Sequence, residues 1–306
     1  MDLLQLETFL AVAEEKNFSR AAQRLHRTQP AVSQAIRKLE LSVGEPLFDR
    51  SSRDGHLTDA GVTLRAYAEK MLNLREEARL ELTELKQLHQ GRLSIAANEF
   101  TSLYLVRVLG EYRQLHPMIK IAVQRSLASR ISQDVLSHKV EIGILSFQPE
   151  EPALRSITVY RDELVLVVNP QHPLAKEREV SIRRLGAESF VAHNVPSPYR
   201  VNVIDTFRRH KTPLNMDVEL PTLESIRKFV AGGNGVALLP AIAVESELAS
   251  GGLVRIKIRE LSLERKLRLV YRKNSHLSHA ARALLKIMER RAEQHGGQFL
   301  FHRNRA

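Results

Sequence analysis

From Val62 to Gln90 the chain contains neither Gly nor Pro, and its apolar residues recur at helical spacing. Leu64, Met71, Ala78 and Leu85 repeat every seven residues, with Tyr67, Leu74 and Leu88 beside them. The pattern predicts one long helix with a coiled-coil-like seam. Thr58 is placed to cap its start, and Gly91 stops it. Packing on its own domain would suit a shorter helix; this length favours a partner helix from a second copy. Leu64, Met71, Ala78 and Leu85 are therefore the expected dimerisation contacts. The helix also divides the chain into a domain over 1–58, the linker helix itself over 59–90, and a larger domain over 91–306.

Upstream of that helix, Leu3, Leu6, Phe9, Leu10 and Ala13 describe an amphipathic first helix. The stretch Ser19–Glu40, SRAAQRLHRTQPAVSQAIRKLE, then holds five Arg or Lys and no acid before its last residue. Ser19 is a candidate N-cap for a second helix, with Ala21, Ala22 and Leu25 as its packing face. Arg27 follows as a turn. Thr28 caps a third helix, with Gln29 and Pro30 in its first turn, where Pro loses no hydrogen bond. Val32, Ile36 and Leu39 would face inward, and Gln29, Ser33, Gln34, Arg37 and Lys38 outward. Two helices joined by a tight turn, the second with polar outer residues, form a helix-turn-helix. Gln can pair bidentately with adenine, and Ser with several bases. Arg20, Arg24, Arg27, Arg37 and Lys38 are placed to meet phosphates. Asp54-Gly55, flanked by Phe48 and Leu57, predicts a two-stranded wing that carries Arg50 and Arg53 towards phosphates or the minor groove. The alternative is a three-helix bundle with a solvated basic face. The acid-free run and the caps favour DNA.

After Gly91, strands alternate with helices: strands over 93–96, 119–123, 140–145, 163–168, 190–192, 215–220 and 235–239, and helices over 103–115, 131–138, 199–210 and 223–231. Such alternation implies parallel α/β sheets in two units, joined near 160–163 and again near 261–269. The last 15 residues, AEQHGGQFLFHRNRA, read as a loose tail. Net charge is +11, but residues 1–90 hold 13 basic and 14 acidic side chains, so the excess lies downstream. The basic run Arg255–Arg291 reads as solvated strand edges and a helix face.

The N-terminal segment resembles the DNA-binding domain of LysR-type transcriptional regulators. The likeness rests on Phe9, Ser19-Arg20-Ala21-Ala22, Gln29-Pro30-Ala31-Val32-Ser33, Leu39-Glu40, Pro46-Leu47-Phe48, Arg50 and Leu57-Thr58-Asp59-Ala60-Gly61. Downstream, Leu93-Ser94-Ile95, Glu141-Ile142-Gly143-Ile144, His172-Pro173-Leu174-Ala175 and Gly233–Pro240 are similar to the same family, so the resemblance extends to about residue 290. It implies α plus α/β architecture: a winged helix-turn-helix, a dimerising linker helix and a periplasmic-binding-protein-like effector domain of two subdomains. Subdomain I would span about 91–161 and 268–306, and subdomain II about 162–267. It further implies a cytoplasmic homodimer or homotetramer on double-stranded promoter DNA at an interrupted inverted repeat. RNA polymerase is a candidate partner, and a small molecule in the inter-subdomain cleft would act as effector. Members that sense peroxide use cysteine, and this chain has none.

Mapped through that resemblance, the cleft would be lined by Asn98–Ser102, Ser126–Ser129, Ser146-Phe147, Val195–Arg200 and Thr222, with Asn98, Thr101, Ser102, Ser126, Ser129, Phe147, Pro198, Arg200 and Thr222 as candidate contacts. Hydroxyls and free N–H groups at helix N-termini suit a carboxylate, Arg200 could clamp an anion, and an organic acid is the expected effector. Each hydroxyl also reads as an ordinary N-cap. Glu99 would repel an anion unless it pairs with Arg200 or Arg125, so a cationic or zwitterionic effector stays open.

Other classes are disfavoured. There is no G-x-S-x-G, no phosphate-binding G-x-x-x-x-G-K-[ST] and no H-E-x-x-H, and Gly233-Asn234-Gly235 lacks the third glycine of a dinucleotide loop. His276-x-x-His279 has no evident third ligand. Neither a catalytic function, a metal nor a cofactor is expected. MDLLQLETFL has an early acid and no basic start, so no secretory signal is expected, and no apolar run is long enough to span a membrane. An effector-independent or nonspecific DNA-binding protein is the alternative. Arg53→Ala should weaken binding to all DNA sequences alike and reduce the slope of log K against log salt by about 0.9. A salt titration of binding that leaves the slope unchanged removes Arg53 from the phosphate contacts.

Overall fold

The computed structural model describes residues 1–49, 56–86, 91–195 and 197–303. They divide into two compact units, Met1–Leu88 with Ser137–Lys139, and the remainder.

The N-terminal unit has four helices: α1 (Leu3–Glu15), α2 (Phe18–Arg24), α3 (Gln29–Val43) and α4 (Asp59–Lys86). Asp2 and Gln5 form a reciprocal capping box on α1. The cap of α2 is Asn17 rather than Ser19: its side chain accepts from the N–H groups of Ser19 and Arg20. An Asn two residues earlier satisfies those donors and lets Phe18 join the core, its ring 5.5 Å from Phe48. Phe9 meets Phe48 at 5.4 Å from the other side. Phe48 bridges to Leu57 at the base of the wing. The wing's tip, with Arg50 and Arg53, lies outside the described residues.

Helix α4 departs from the expected seam at its first residue. Leu64 packs with Ala68 and Leu72 against the core of the three shorter helices. The apolar stripe left exposed is Tyr67, Met71, Leu74 and Leu82, with Ala78 in line. The seven-residue repeat through Leu64 mixed two faces, because the first turns of α4 serve their own domain. The side chain of Leu85 lies outside the described residues.

The C-terminal unit begins with β1 (Arg92–Ala97), α5 (Glu99–Leu115), β2 (Lys120–Arg125), α6 (Ala128–Leu136), β3 (Ile142–Leu145) and β4 (Leu154–Val168). It continues with β5 (Glu179–Val180), β6 (Ser189–His193), α7 (Pro198–Arg209), β7 (Asn215–Leu220), α8 (Leu223–Ala231), β8 (Ala237–Pro240) and α9 (Glu245–Ser250). It closes with β9 (Val254–Ile258), β10 (Leu263–Arg272), α10 (His279–His295) and β11 (Phe299–Arg303). The sheet is mixed, not all parallel. β1 pairs parallel with β2 and β3, and β6 with β7. The long strands β4 and β10 run antiparallel to each other and to their remaining neighbours. The first half of β4 lies between β10 and β11, and its second half pairs with β8 and β9. Two lobes thus share β4 and β10. One has its core around Ile95, Tyr104, Ile144 and Leu284, the other around Leu166, Phe190, Phe207 and Ile256.

The expected loose tail is part of the sheet. α10 runs through His295, and β11 adds to β4. Phe299 packs edge-on against Tyr160 at 5.3 Å, and Gln298 accepts from the Tyr160 hydroxyl at 2.8 Å. The doublet Gly296-Gly297 turns the chain back with both residues at positive φ, which is what made the segment read as a loop.

Gly61 marks a close approach in the N-terminal unit. A Cβ there would lie 2.2 Å from the Leu47 carbonyl oxygen, and that oxygen already accepts from Thr58 N–H. Gly61→Ala should therefore lower stability by about 2 kcal/mol or more. A urea midpoint equal to wild type would contradict the packing of α4 on the wing strand.

Candidate nucleic-acid interface and ligand cleft

In the N-terminal unit, the turn between α2 and α3 is set by His26, whose φ is +54°. Thr28 then caps α3, accepting from Ala31 N–H, with Pro30 in the first turn. Val32, Ile36 and Leu39 are buried. That anchors one face of α3 and fixes the opposite one. Gln29, Gln34, Arg37 and Lys38 are exposed there and Ser33 is half-buried. The Gln29 side-chain amide donates to Ser33 Oγ at 2.9 Å, so the two present as one polar unit.

The basic residues sort into two groups. Arg24 is held by Glu14 and Glu15 of α1, and Arg20 donates to the Glu15 carbonyl. Arg24 is thus exposed but paired within the unit. Arg27, Arg37 and Lys38 are exposed and have no acidic partner among the described residues. Ser19 is exposed on the first turn of α2.

In the C-terminal unit, a cavity of about 430 Å³ opens between the two lobes, within the range of small-molecule sites. Asn98, Ser126, Pro198 and Arg200 line it. Thr101, Ser102, Ser129, Phe147 and Thr222 are not among its lining residues. Thr101 is fully buried: it completes the Asn98 capping box and donates to the Ile144 carbonyl at 3.2 Å. Ser102 donates back to the Glu99 carbonyl, and Thr222 caps α8. Ser129 is exposed at the start of α6, and Phe147 packs on the cluster around Ile131 and Val135. Helix ends need such hydroxyls whether or not a ligand is near, which is why capping residues mimicked site residues.

Phe100 and Tyr199 line the cavity within the expected segments, whereas Arg265 and His193 of the wall went unread in the sequence. Arg265 is 3% exposed and bonds Asp162, itself 1% exposed, at 2.7 Å. The two face each other across β4 and β10. Burial pushes the Asp162 carboxyl up and the Arg265 guanidinium down, and their mutual attraction opposes both shifts. The rings of Tyr199 and Phe100 lie 5.3 and 5.9 Å from the Arg265 guanidinium. Burial also raises the Tyr199 phenol, which stays protonated and donates to the Ser146 carbonyl. No short motif marks Asp162 and Arg265; the register of two strands far apart in sequence brings them together.

Glu99 is engaged by groups of the chain itself. Its carboxylate accepts from Leu223 N–H at 2.8 Å, at the N-terminus of α8. It also meets His193 Nε2 at 3.3 Å and Arg125 at 4.0 Å. Val195 N–H donates to His193 Nδ1, so the neutral ring carries its proton on Nε2, facing Glu99. Arg200 pairs with Glu219 and donates to the His193 carbonyl.

Residues 3–62 match a family model described as "Bacterial regulatory helix-turn-helix protein, lysR family", and residues 86–293 match "LysR substrate binding domain". The chain belongs to the LysR family of transcriptional regulators. Among LysR relatives, a probable RuBisCO transcriptional regulator of Cyanidioschyzon merolae is 34% identical, over 90% of this chain and 94% of that one. The fold is similar to full-length CbnR complexed with its target DNA, with TM-score 0.72 and 19% identity over 95% of this chain and 99% of that one. It is also similar to the Synechocystis CcmR regulatory domain in complex with 2-PG, with TM-score 0.61 and 26% identity over 67% of this chain and 99% of that one.

The buried pair yields a stability test. Asp162→Asn leaves the Arg265 charge without its counter-ion and should destabilise the C-terminal unit by about 3 kcal/mol. Adding Arg265→Met should recover most of that loss. Equal urea midpoints for wild type and the single variant would show that the pair does not hold the shared strands.

Proposed function

We propose that this LysR-family chain is a cytoplasmic homo-oligomer, dimer or tetramer, that reads an interrupted inverted repeat in promoter DNA under control of a small molecule. The single observation that carries the DNA reading is α3. Its buried face is locked, its N-cap is satisfied, and its outer face joins Gln29, Ser33 and Gln34 with Arg37 and Lys38; these two cations, and Arg27 in the turn before the helix, have no acidic partner among the described residues. Base-edge donors and acceptors flanked by phosphate-seeking cations suit major-groove recognition. Thr28 and Pro30 hold the first turn that presents them; Ser19 and Arg20 lie at the start of α2, and Arg50 and Arg53 would reach from the wing.

The exposed stripe Tyr67, Met71, Leu74 and Ala78 supports pairing of α4 with a second copy. A two-fold dimer matches a palindromic site. RNA polymerase is a candidate partner of such a complex. Control by a ligand rests on the cavity lined by Asn98, Ser126, Pro198 and Arg200, and the relative solved with 2-PG supports a small-molecule effector. Neither the cleft nor the helix-turn-helix suggests catalysis. Among the described residues no group of three His, Asp or Glu could hold a metal, and no helix is long and apolar enough to cross a membrane.

The decisive experiment compares an operator selected from random DNA with a scrambled duplex. Gln29→Ala or Ser33→Ala should weaken operator binding by about 1–3 kcal/mol with little loss on scrambled DNA. Because the two side chains are bonded, the double variant should lose less than the sum of the singles. Equal loss on both duplexes, measured by fluorescence anisotropy, favours nonspecific binding and removes base reading from these side chains.

A further inference from the structure

The cavity wall has two kinds of surface. One part is polar, with Asn98, Ser126, His193 and Arg200. The other is apolar, with Leu164, Phe190, Val203, Leu214, Met216 and Leu238. These residues belong to the hydrophobic core of the second lobe, where Leu164, Leu214, Met216 and Leu238 are only partly buried. They leave a chamber inside that core rather than closing on one another. An apolar chamber gains nothing from a sugar or a phosphate and favours a hydrocarbon body.

The charges at the wall are balanced. Arg265 pairs with Asp162, Arg200 with Glu219, and Arg125 faces Glu99. Glu99 also occupies the N–H group of Leu223 at the start of α8 and the His193 ring. Two anion-seeking features of the cleft are thus already served by a carboxylate of the chain itself. A phosphate monoester or dicarboxylate would bring about two negative charges to a wall whose three arginines, Arg125, Arg200 and Arg265, each already face a carboxylate of the chain. One group is left for a single carboxylate. Arg265 donates from Nη1 to Asp162 and also meets the Tyr199 hydroxyl, whereas a guanidinium carries five N–H donors. Its side chain is 3% exposed and still lines the cavity.

We propose that the cleft takes a hydrophobic monocarboxylic acid, with its hydrocarbon body in the chamber around Leu214 and Met216 and its carboxylate on Arg265, and that Glu99 excludes dianions. This specificity rests on the reading of the cleft as the effector site. The hydrocarbon supplies the affinity by leaving water, and the guanidinium orients the acid. Glu99 acts as a resident anion: a second ligand charge would have to displace it from α8 or lie beside it.

The test is isothermal titration of the full-length chain with 3-phenylpropanoate and octanoate, against 3-phenylpropanamide, succinate and inorganic phosphate. The two hydrophobic acids should bind at least about tenfold more tightly than each of the other three. Leu214→Trp, which fills the chamber from a loop, should abolish their binding while the ligand-free melting temperature stays within a few degrees of wild type. Should that variant unfold, Glu99→Gln still decides: Gln keeps the acceptor for Leu223, so binding of the hydrophobic acids should persist while succinate and phosphate gain about tenfold. Succinate or phosphate binding wild type as tightly as the hydrophobic acids overturns the proposal. So do equal affinity for the amide, no change in Glu99→Gln, and no binding by any hydrophobic acid. Operator binding followed in the same samples separates the two readings. A dianion that binds and shifts operator affinity keeps the regulator and removes this ligand class, whereas failure to discriminate operator from scrambled DNA removes the regulator itself.

Discussion

Asp162 and Arg265 stand opposite each other in the β4–β10 register, where the two lobes of the C-terminal unit share their strands. A buried ion pair is a poor source of net stability, because desolvation offsets most of the attraction. Its value here is positional. A carboxylate and a guanidinium that must meet tolerate no slip of β4 against β10, since a shift by one residue would strand both charges in the core. The register places Arg265 at the cavity wall and, through Ile242 N–H, ties Asp162 to the turn after β8. Aromatic rings from α5 and α7, Phe100 and Tyr199, then close on the guanidinium. One charge pair therefore gathers elements from both lobes, and the cleft is built around it.

The N-terminal unit solves a different problem, which is to hold one helix face free. α3 can offer polar side chains outward only because Val32, Ile36 and Leu39 fix its rotation. Phe48, at the base of the wing, packs between Phe9 and Phe18 and ties the wing to α1 and α2. Acids on α1 then neutralise Arg24 and engage Arg20, while Arg27, Arg37 and Lys38 are left without an acidic partner among the described residues. The selection of which cations remain available is a property of the packing, and the count of basic residues in the segment overstates it.

Local signals were legible in the sequence wherever the physics is local. The caps at Thr28 and Thr58, the inward face of α3 and most strand–helix alternations follow from periodicity and capping chemistry. What was not legible depended on distant partners. Leu64 reads as part of a seven-residue seam but turns to its own domain, because its neighbours in space come from the three shorter helices. The segment after Ala292 reads as a tail, yet Phe299 finds Tyr160 and a strand edge. Sheet direction was misjudged for the same reason: alternation predicts parallel crossovers, and the long return strands β4 and β10 reverse it. In the cleft, hydroxyls at helix starts were conspicuous and turned out to serve the helices. Arg265 and His193 carry no local signature, although a buried charge inside an alternating strand such as LERKLRLVYR is the one hint the sequence offers.

The net charge of the chain illustrates the same distinction between composition and structure. The excess of positive charge lies after residue 90, in the run Arg255–Arg291 above all. Much of that run is occupied. Arg255 meets Glu163, Lys257 and Arg259 share Glu179, Arg265 holds Asp162, and Arg290 and Arg291 grip Glu111. Two cations on one carboxylate hold Glu111 and Glu179 below the usual carboxylate range. These lowered values mean that the associated stability is present at neutral pH and is lost as pH falls through the folded-state values. The charges therefore join α10 to α5 and β9 to β5 before they can attract any polyanion. Arg27, Arg37 and Lys38, by contrast, sit in a unit whose total charge is close to neutral. Which cations a surface offers depends on which are left unpaired, and a protein of the same composition with Glu14 and Glu15 moved to another helix would present a different surface.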